Sequence, residues 1–523
     1  MTSPSGPAVM GGAAGKGSRS AAAQPRSDAE QAGQGQAADP GPWWMRALPS
    51  LVMLAVTLTG ITVPSFWRDE AATLAAVHRS FGALFSMLGH VDAVHGAYYL
   101  LAWAIARLFG TGELALRLPS AIAMSIAAGF VGATGRRLVS PAAGLAAGLL
   151  FAAIPQISFY GQDARSYALV TAMAAVASYL LVRALQAAPG QRRRWWLGYA
   201  GALALLGILN IFALLLIPAH AVTVALRCLR PGAGNSRRAL ALSWLAAAVA
   251  AGVLASPLLY YGFKQRGQVS WLKTPDGLQG INQLIGPWRM AVAAGVAVAA
   301  GLIVSAVAGR ARFRARWPGP LAQLSLPWLI LPPAILLTGS LITPMYTFRY
   351  ILFCIPAVAL LGGTALASLG RFVGPAAFVV IVLLGLHSQV LVREAAGHKD
   401  NIRQADHIIA EYRRHGDVVL YTNPNAQTFG AAYPYGLDRL RDISLAKRGI
   451  PPSGPVVGED VSETTVRQRL AHVSRLWVIN INRNMNVPII YGLHFHLIRS
   501  WRTSDIWLRL YVHQHSAHQH RAH

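Results

Sequence analysis

Acidic residues are scarce in this chain: 20 Asp and Glu stand against 46 Lys and Arg in 523 residues. Charged residues of both signs make up only 13%, while hydrophobic residues make up 54%. A typical soluble domain has about 25% charged residues, so a wholly soluble fold is excluded. Cysteine is nearly absent. Cys228 and Cys354 are the two in the chain, and the stretch beyond residue 393 has none, which excludes a disulfide framework there. That stretch also lacks a Gly-rich nucleotide loop and a metal-spaced ligand cluster. The net charge of +26 raises nucleic acid as a partner, but the arginines fall in short groups between apolar runs. Membrane topology accounts for that pattern, and no nucleic-acid partner is expected.

What the chain has in abundance is long apolar runs, and a bilayer core of ~30 Å is crossed by about 20 such residues. The expected fold class is a polytopic α-helical membrane protein with a small C-terminal α/β domain. Eleven spans are expected, near 48–64, 117–135, 142–160, 166–186, 195–209, 211–227, 239–260, 286–308, 322–342, 347–368 and 372–391. Arginine groups at 136–137, 183 with 192–194, 227–238, 310–316 and 371 alternate between loops, and none of those loops holds an acid. By the positive-inside rule these loops are cytoplasmic. Between Trp43 and Val392 the acids are Asp69, Glu70, Asp92, Glu113, Asp163 and Asp276, all in the opposite loops. Their segregation on the outer side of a plasma membrane suggests a chemical use.

Two apolar segments in the first outer loop do not fit as spans. Residues 95–110 are short, and crossing there would break the arginine alternation; residues 71–90 have the spacing of one amphipathic surface helix. Both are expected to lie along the membrane. The rest divides simply. Residues 1–42 are a Gly, Ala, Ser, Gln and Pro-rich tail, read as disordered and cytoplasmic; 43–392 form the membrane domain; 393–512 an extracytoplasmic α/β domain; and 513–523 a His-rich tail. Because the first apolar run begins only near Leu48, it is read as a retained anchor rather than a cleaved signal.

Four groups carry candidate chemistry. In "SFWRDEAATL", Asp69 is a candidate general base toward a hydroxyl, and Glu70 a ligand contact or a cap of the following helix. In "HVDAVHGAYYLL", Asp92 and His95 are spaced i, i+3, so one helical turn would aim them together, with Tyr98 continuing that face and Tyr99 four residues on from His95. In "YGQDARSYAL", Asp163, Arg165 and Tyr167 crowd a short outer turn, and a guanidinium suits phosphate; an Asp163–Arg165 surface pair is the plainer alternative. In "TPMYTFRYIL", Arg349, beside Tyr350, enters a span from the outer side, where an arginine can hold an anion or snorkel to the headgroups. Lys264, Arg266 and Lys273 add candidate cations or a merely solvated loop. The set suits a reaction between a hydroxyl and a lipid-linked phosphate ester at the membrane boundary.

The order and spacing of "WRDEAAT", "DAVHGAYYLL", "FGTGELALRLPSA", "GQDARSYAL" and "FRYILFCIPAVALL" resemble the GT-C glycosyltransferases. The resemblance is to glycosyltransferase family 39 and its bacterial relatives, over roughly Leu48 to Val392. It implies a polyprenyl-phosphate-linked sugar donor, a cavity open to the outer leaflet and an inverting transfer to a lipid, polysaccharide or protein acceptor. Mannose is the family-level guess for the sugar. It also implies that Asp69 is the first-loop acid, Asp163 the second-loop acid and Arg349 a neighbour of the donor phosphate. "DAVH" departs from the His-Pro-Pro type of segment found in some relatives, and there is no large inserted lumenal domain. No particular cofactor is called for by the sequence. A divalent cation bridging Asp69 or Asp163 to phosphate stays open, though no ligand cluster demands one. The rival class, a transporter or flippase for an anionic lipid or solute, would place ionisable groups near the midplane on broken spans. A membrane scaffold would leave the loop acids unexplained.

Overall fold

The computed structural model describes residues 42–229, 236–269, 319–446, 458–481 and 487–513. Among the described residues six helices are long and apolar enough to cross a membrane: Glu113–Leu138, Tyr167–Gln186, Ile211–Cys228, Arg237–Lys264, Pro320–Gly339 and Gly370–Leu391. A seventh candidate, Pro141–Ala153 with Pro155–Gly161, is bent by 67°. The sequence pattern reads 142–160 as one straight span. The bend falls at Ile154, extended ahead of Pro155, where proline disfavours helix in the residue before it. Trp44–Leu58, Arg192–Leu209 and Ile355–Ser368 are helices too, but shorter or more charged. The expected span at 286–308 lies outside the described residues, as do residues 1–41 of the polar tail and 514–523 of the His-rich tail, whose first residue, His513, ends the last strand.

In chain order the membrane-domain helices are α1 (Trp44–Leu58), α2 (Arg68–Val77), α3 (Phe81–Leu88), α4 (Gly96–Phe109), α5 (Glu113–Leu138), α6 (Pro141–Ala153), α7 (Pro155–Gly161), α8 (Tyr167–Gln186), α9 (Arg192–Leu209), α10 (Leu216–Cys228), α11 (Ser236–Lys264), α12 (Pro320–Gly339), α13 (Ile355–Ser368) and α14 (Gly370–Leu391). Helix α5 packs on α1, α6 and α8, and α6 packs on α13. Small residues allow these approaches. A Cβ on Gly363 would stand 2.2 Å from the Ala147 backbone nitrogen. Leu242, Leu245, Val249 and Val253 of α11 and Val379, Leu383 and Leu386 of α14 are exposed, an apolar outer surface suited to lipid. Arg137 Nε donates to Gln186 Oε1 at 2.6 Å, so the basic ends of α5 and α8 lie together.

The segment 71–90 is not one helix. Helix α2 stops at His78, and α3 starts afresh with Ser80 Oγ accepting from the Ala83 amide. Segment 95–110 is the helix α4, which packs on α2.

Beyond residue 400 come α15 (Ile402–Tyr412), β1 (Val418–Tyr421), the short helix α16 (Phe429–Ala432), β2 (Arg441–Asp442), α17 (Glu463–Leu470), β3 (Arg475–Ile481), β4 (Phe495–Thr503) and β5 (Ile506–His513). The sheet order is β2-β1-β3-β5-β4, parallel across β2-β1-β3 and antiparallel across β3-β5-β4. Both sheet faces are covered. Val419, Trp477 and Ile479 share one apolar cluster with α15, α16 and the helices α2 to α4, while Val418, Leu476 and Val478 pack with α17 on the other face. This domain is therefore seated on the segment between α1 and α5.

Candidate functional site

The site is built on the N-terminus of α2. Trp67 precedes it in an extended conformation, and Asp69 and Glu70 fall in the first turn, where acids complement the helix dipole. The two carboxylates then point to different places.

Glu70 is fully buried against Arg117 of α5, whose guanidinium donates to it at 2.8 and 2.6 Å. Its Oε1 also accepts the Ala164 amide at 2.8 Å, and Oε2 the Trp67 amide at 3.4 Å. Arg117 further donates to the carbonyls of Ile61, Pro64 and Ser65. With both oxygens engaged and no exposure, Glu70 is not a substrate contact. It clamps the first loop to α5 and to the 162–166 turn.

Asp69 meets Arg349, which pairs with its Oδ2. Both side chains keep some exposure, 17% and 16%. The two residues are 280 positions apart. Arg349 does not begin a regular span, as 347–368 was expected to. Phe348–Tyr350 and Leu352–Cys354 are 3-10 turns, and the α-helix starts only at Ile355 with Pro356 in its first turn. Those turns hold the guanidinium over Tyr167 and Tyr350, 6.0 and 5.8 Å from the ring centres. Tyr350 stacks in turn on Phe212 at 4.7 Å.

Around this pair, Arg165 donates to Tyr99 Oη at 2.9 Å, and Tyr99 donates to Asp92 Oδ2 at 2.9 Å. The expected helical face of Asp92, His95 and Tyr98 is not formed. Asp92 has a left-handed backbone (φ 56°), and α4 starts only at Gly96, so the partner of Asp92 is Tyr99. Tyr98 points into the core, its hydroxyl 3.4 Å from the Leu116 carbonyl. His95 sits 6.0 Å from the Tyr99 ring. No Asp163–Arg165 ion pair occurs among the described residues. Instead Asp163 Oδ1 accepts from Trp67 Nε1 at 3.0 Å, and its Oδ2 is buried without a hydrogen-bond partner among the described residues. Lys264 is exposed at the end of α11; its neighbour Gln265 makes the contacts to the first loop, with the Leu88 carbonyl and the Ala93 amide, each at 3.0 Å.

The segment "GHKD", 397–400, had no candidate role in the sequence. Its glycine is required by space, since a Cβ there would lie 2.3 Å from the Val392 carbonyl oxygen. Lys399, at φ 80°, brings Nζ 5.3 Å from the Trp67 ring centre. Asp400 takes a fork of bonds from Arg68, 2.8 and 2.7 Å, and the Arg68 amide at 3.0 Å. The signal that could have found Lys399 is position alone: it stands next to the acid that closes the membrane domain onto the first loop.

The charges set the protonation states. Burial pushes the Asp69 carboxyl up, but the charges of Arg349, Arg165 and Lys399 outweigh it and hold Asp69 below the ordinary carboxylate value. Burial and the neighbouring Glu70 push Asp163 well above that value, favouring the neutral acid. Burial and Arg165 push His95 down to about 4, so its imidazole is neutral near pH 7. Burial lowers Lys399, with Asp69 opposing. The arrangement offers an ionised carboxylate beside three cations. Among the described residues no three His, Cys, Asp or Glu side chains converge as metal ligands.

A family model described as dolichyl-phosphate-mannose-protein mannosyltransferase matches residues 96–261, about a third of the chain. No curated protein matches the sequence. Among solved structures, ArnT from Cupriavidus metallidurans in the apo state is 15% identical with a TM-score of 0.59, over 88% of this chain and 97% of that one. The same protein bound to undecaprenyl phosphate is 13% identical with a TM-score of 0.59, over 89% and 97%. The chain has the GT-C membrane fold. Its helical body and small C-terminal sheet follow the fold of these structures. At this identity the likeness extends to the fold and carries no residue roles.

Proposed function

We propose that this protein is a membrane glycosyltransferase that moves a sugar from a polyprenyl-phosphate donor to a hydroxyl acceptor, with inversion, on the outer side of a cell membrane. The observation that carries the reading is the Asp69–Arg349 pair, a partly exposed carboxylate and guanidinium ringed by Arg165, Lys399 and Tyr167. The family match and the solved ArnT complex with undecaprenyl phosphate support a lipid-linked donor. Eleven spans, a cytoplasmic N-terminus and an extracytoplasmic C-terminal domain complete the proposed topology.

The chemistry is a single displacement at the anomeric carbon. Asp69 accepts the proton of the acceptor hydroxyl as that oxygen attacks. The bond to the phosphate oxygen breaks on the opposite face, and its electron pair leaves with the polyprenyl phosphate. Arg349, with Arg165 and Lys399 as further cations, stabilises the charge that grows on that oxygen. A phosphate at Arg349 also draws guanidinium donors from Asp69, which frees a carboxylate oxygen for the acceptor and makes it more basic. Tyr167 and Tyr350 fix the guanidinium plane, and Asp92, through Tyr99, holds Arg165.

The mannosyl specificity suggested by the family description is the working choice for the sugar. The test is transfer of radiolabelled sugar from polyprenyl-phosphate donors by purified protein in detergent. Asp69→Asn is expected to lose transfer while remaining folded and membrane-inserted. Near-wild-type transfer by that variant would sink the base assignment. Uptake of an anionic solute into liposomes, with no transfer from any donor, would favour the transporter reading.

A further inference from the structure

Away from the Asp69 cluster, the C-terminal domain has a cleft of about 380 Å³ between its sheet and helix α2. Tyr421 and Asp442, the last residues of β1 and β2, both line it. The chain leaves β1 for β2 along the face that carries α16, and leaves β2 for β3, on the other side of β1, along the face that carries α17. The mouth therefore sits outside the carboxyl ends of parallel strands where the strand order reverses, the usual ligand position in open α/β sheets.

The lining tells what would fit. His78, Tyr421, Gln427, Thr428, Asp438 and Asp442 supply donors and acceptors around an apolar floor. Asp442 Oδ1 is occupied by the Ser444 amide and hydroxyl at 2.8 and 2.6 Å, but its Oδ2 is buried with no hydrogen-bond partner among the described residues. Gln427 Nε2 reaches Asp460 Oδ1 at 2.9 Å, which brings a third carboxylate to the rim. Asp438 and Asp442 line the cleft, and among the described residues no Lys or Arg does, in a chain of net charge +26. Phosphates and uronic acids are thereby disfavoured, and a neutral polyol is matched. Ala75 and His78, which line the cleft, lie six to nine residues along α2 from Asp69, about 9–14 Å at 1.5 Å per residue. A short saccharide spans that distance.

We infer that this cleft docks a neutral saccharide segment of the acceptor and presents its end to Asp69. The inference rests on the glycosyltransferase reading and names the acceptor class for it. Saturation-transfer NMR on the full-length protein in detergent tests it, with mannotriose, maltotriose and arabinotriose as neutral probes and trigalacturonate as the anionic one. Wild type is expected to saturate at least one neutral probe and not trigalacturonate. Ala431→Phe, which fills the cleft, and the isosteric Asp442→Asn are each expected to lower that signal by tenfold or more. Both should raise the acceptor KM with little change in kcat. No signal from any neutral probe, an equal signal in both variants, or a stronger signal from trigalacturonate would overturn the inference. Stabilisation by undecaprenyl phosphate, measured in the same samples, keeps the two readings apart. If the glycosyltransferase reading fails, lipid stabilisation and sugar transfer fail in wild type whatever the probes do. If only the cleft inference fails, they persist and the variants match wild type.

Discussion

Asp69 and Glu70 are neighbours in sequence, and each meets an arginine from a distant part of the chain, yet their pairs are opposite in kind. Glu70 and Arg117 have no exposure, and every oxygen and several guanidinium nitrogens are spent on the first loop, α5 and the 162–166 turn. Asp69 and Arg349 stay partly open, and the guanidinium lies against tyrosine rings rather than in a cage of carbonyls. A closed pair is a clamp, because a ligand would have to break it. An open pair can exchange one anion for another at modest cost. Adjacency in the sequence says nothing about this: consecutive helix residues point about 100° apart, so one turn of α2 serves structure and chemistry separately.

The sharpest way to break the comparison is to exchange the two roles. Asp69→Asn should lower kcat for sugar transfer by roughly 10²–10⁴, the usual range for a lost general base, with an unchanged melting temperature in detergent. Glu70→Gln should do the reverse. It leaves the buried Arg117 charge uncompensated, a loss of about 3–5 kcal/mol that appears as early unfolding, while the folded fraction retains turnover per molecule. If Glu70→Gln were stable and dead, or Asp69→Asn unstable, the division into clamp and base would be wrong.

Next in size is the cation side. Arg349→Lys keeps the charge but loses the planar fork, and is expected to cost about 10–100-fold in kcat/KM. Lys399→Met should cost less, about 5–20-fold, because its ammonium faces the Trp67 ring and Asp69 from the rim. Donor titrations in steady-state transfer assays check both. A larger effect at Lys399 than at Arg349 would move the phosphate toward the C-terminal domain.

Much of this architecture was legible before the coordinates. Apolar runs and arginine-flanked loops pointed to a polytopic helical body, in which six helices among the described residues are long and apolar enough to cross a membrane against eleven expected spans, and the helix–turn–strand order located the terminal sheet. The site was legible only residue by residue. Asp69, Asp163, Arg165 and Arg349 stood out because polar residues are rare at the edges of apolar runs. What failed was geometry that depends on a helix's starting point. The left-handed Asp92 and the late start of α4 turned Tyr98 inward and Tyr99 toward Arg165. Pro155 bent a run that reads as straight. Lys399 carried no local signal, since only the folding of the C-terminal domain onto α2 gives it a partner.

The smallest expected effect concerns pH, and it separates Asp69 from His95. Asp69 is held below the ordinary carboxylate value, so its ionised form and its pairing with Arg349 persist above that value and are lost only as pH falls through the lowered one. Transfer should therefore stay flat from pH 7.5 to 5. His95 behaves differently. Its folded value of about 4 lies below the usual 6.5, so the unfolded chain binds more protons between those limits, and stability declines as pH falls through that window. The melting temperature of the wild type should fall more between pH 6.5 and 4 than that of His95→Gln, which has no proton to gain. Equal slopes would mean that His95 is charged in the folded protein. A transfer rate that dropped with an inflection near 6.5 would then make the imidazole, rather than Asp69, the group whose ionisation limits catalysis.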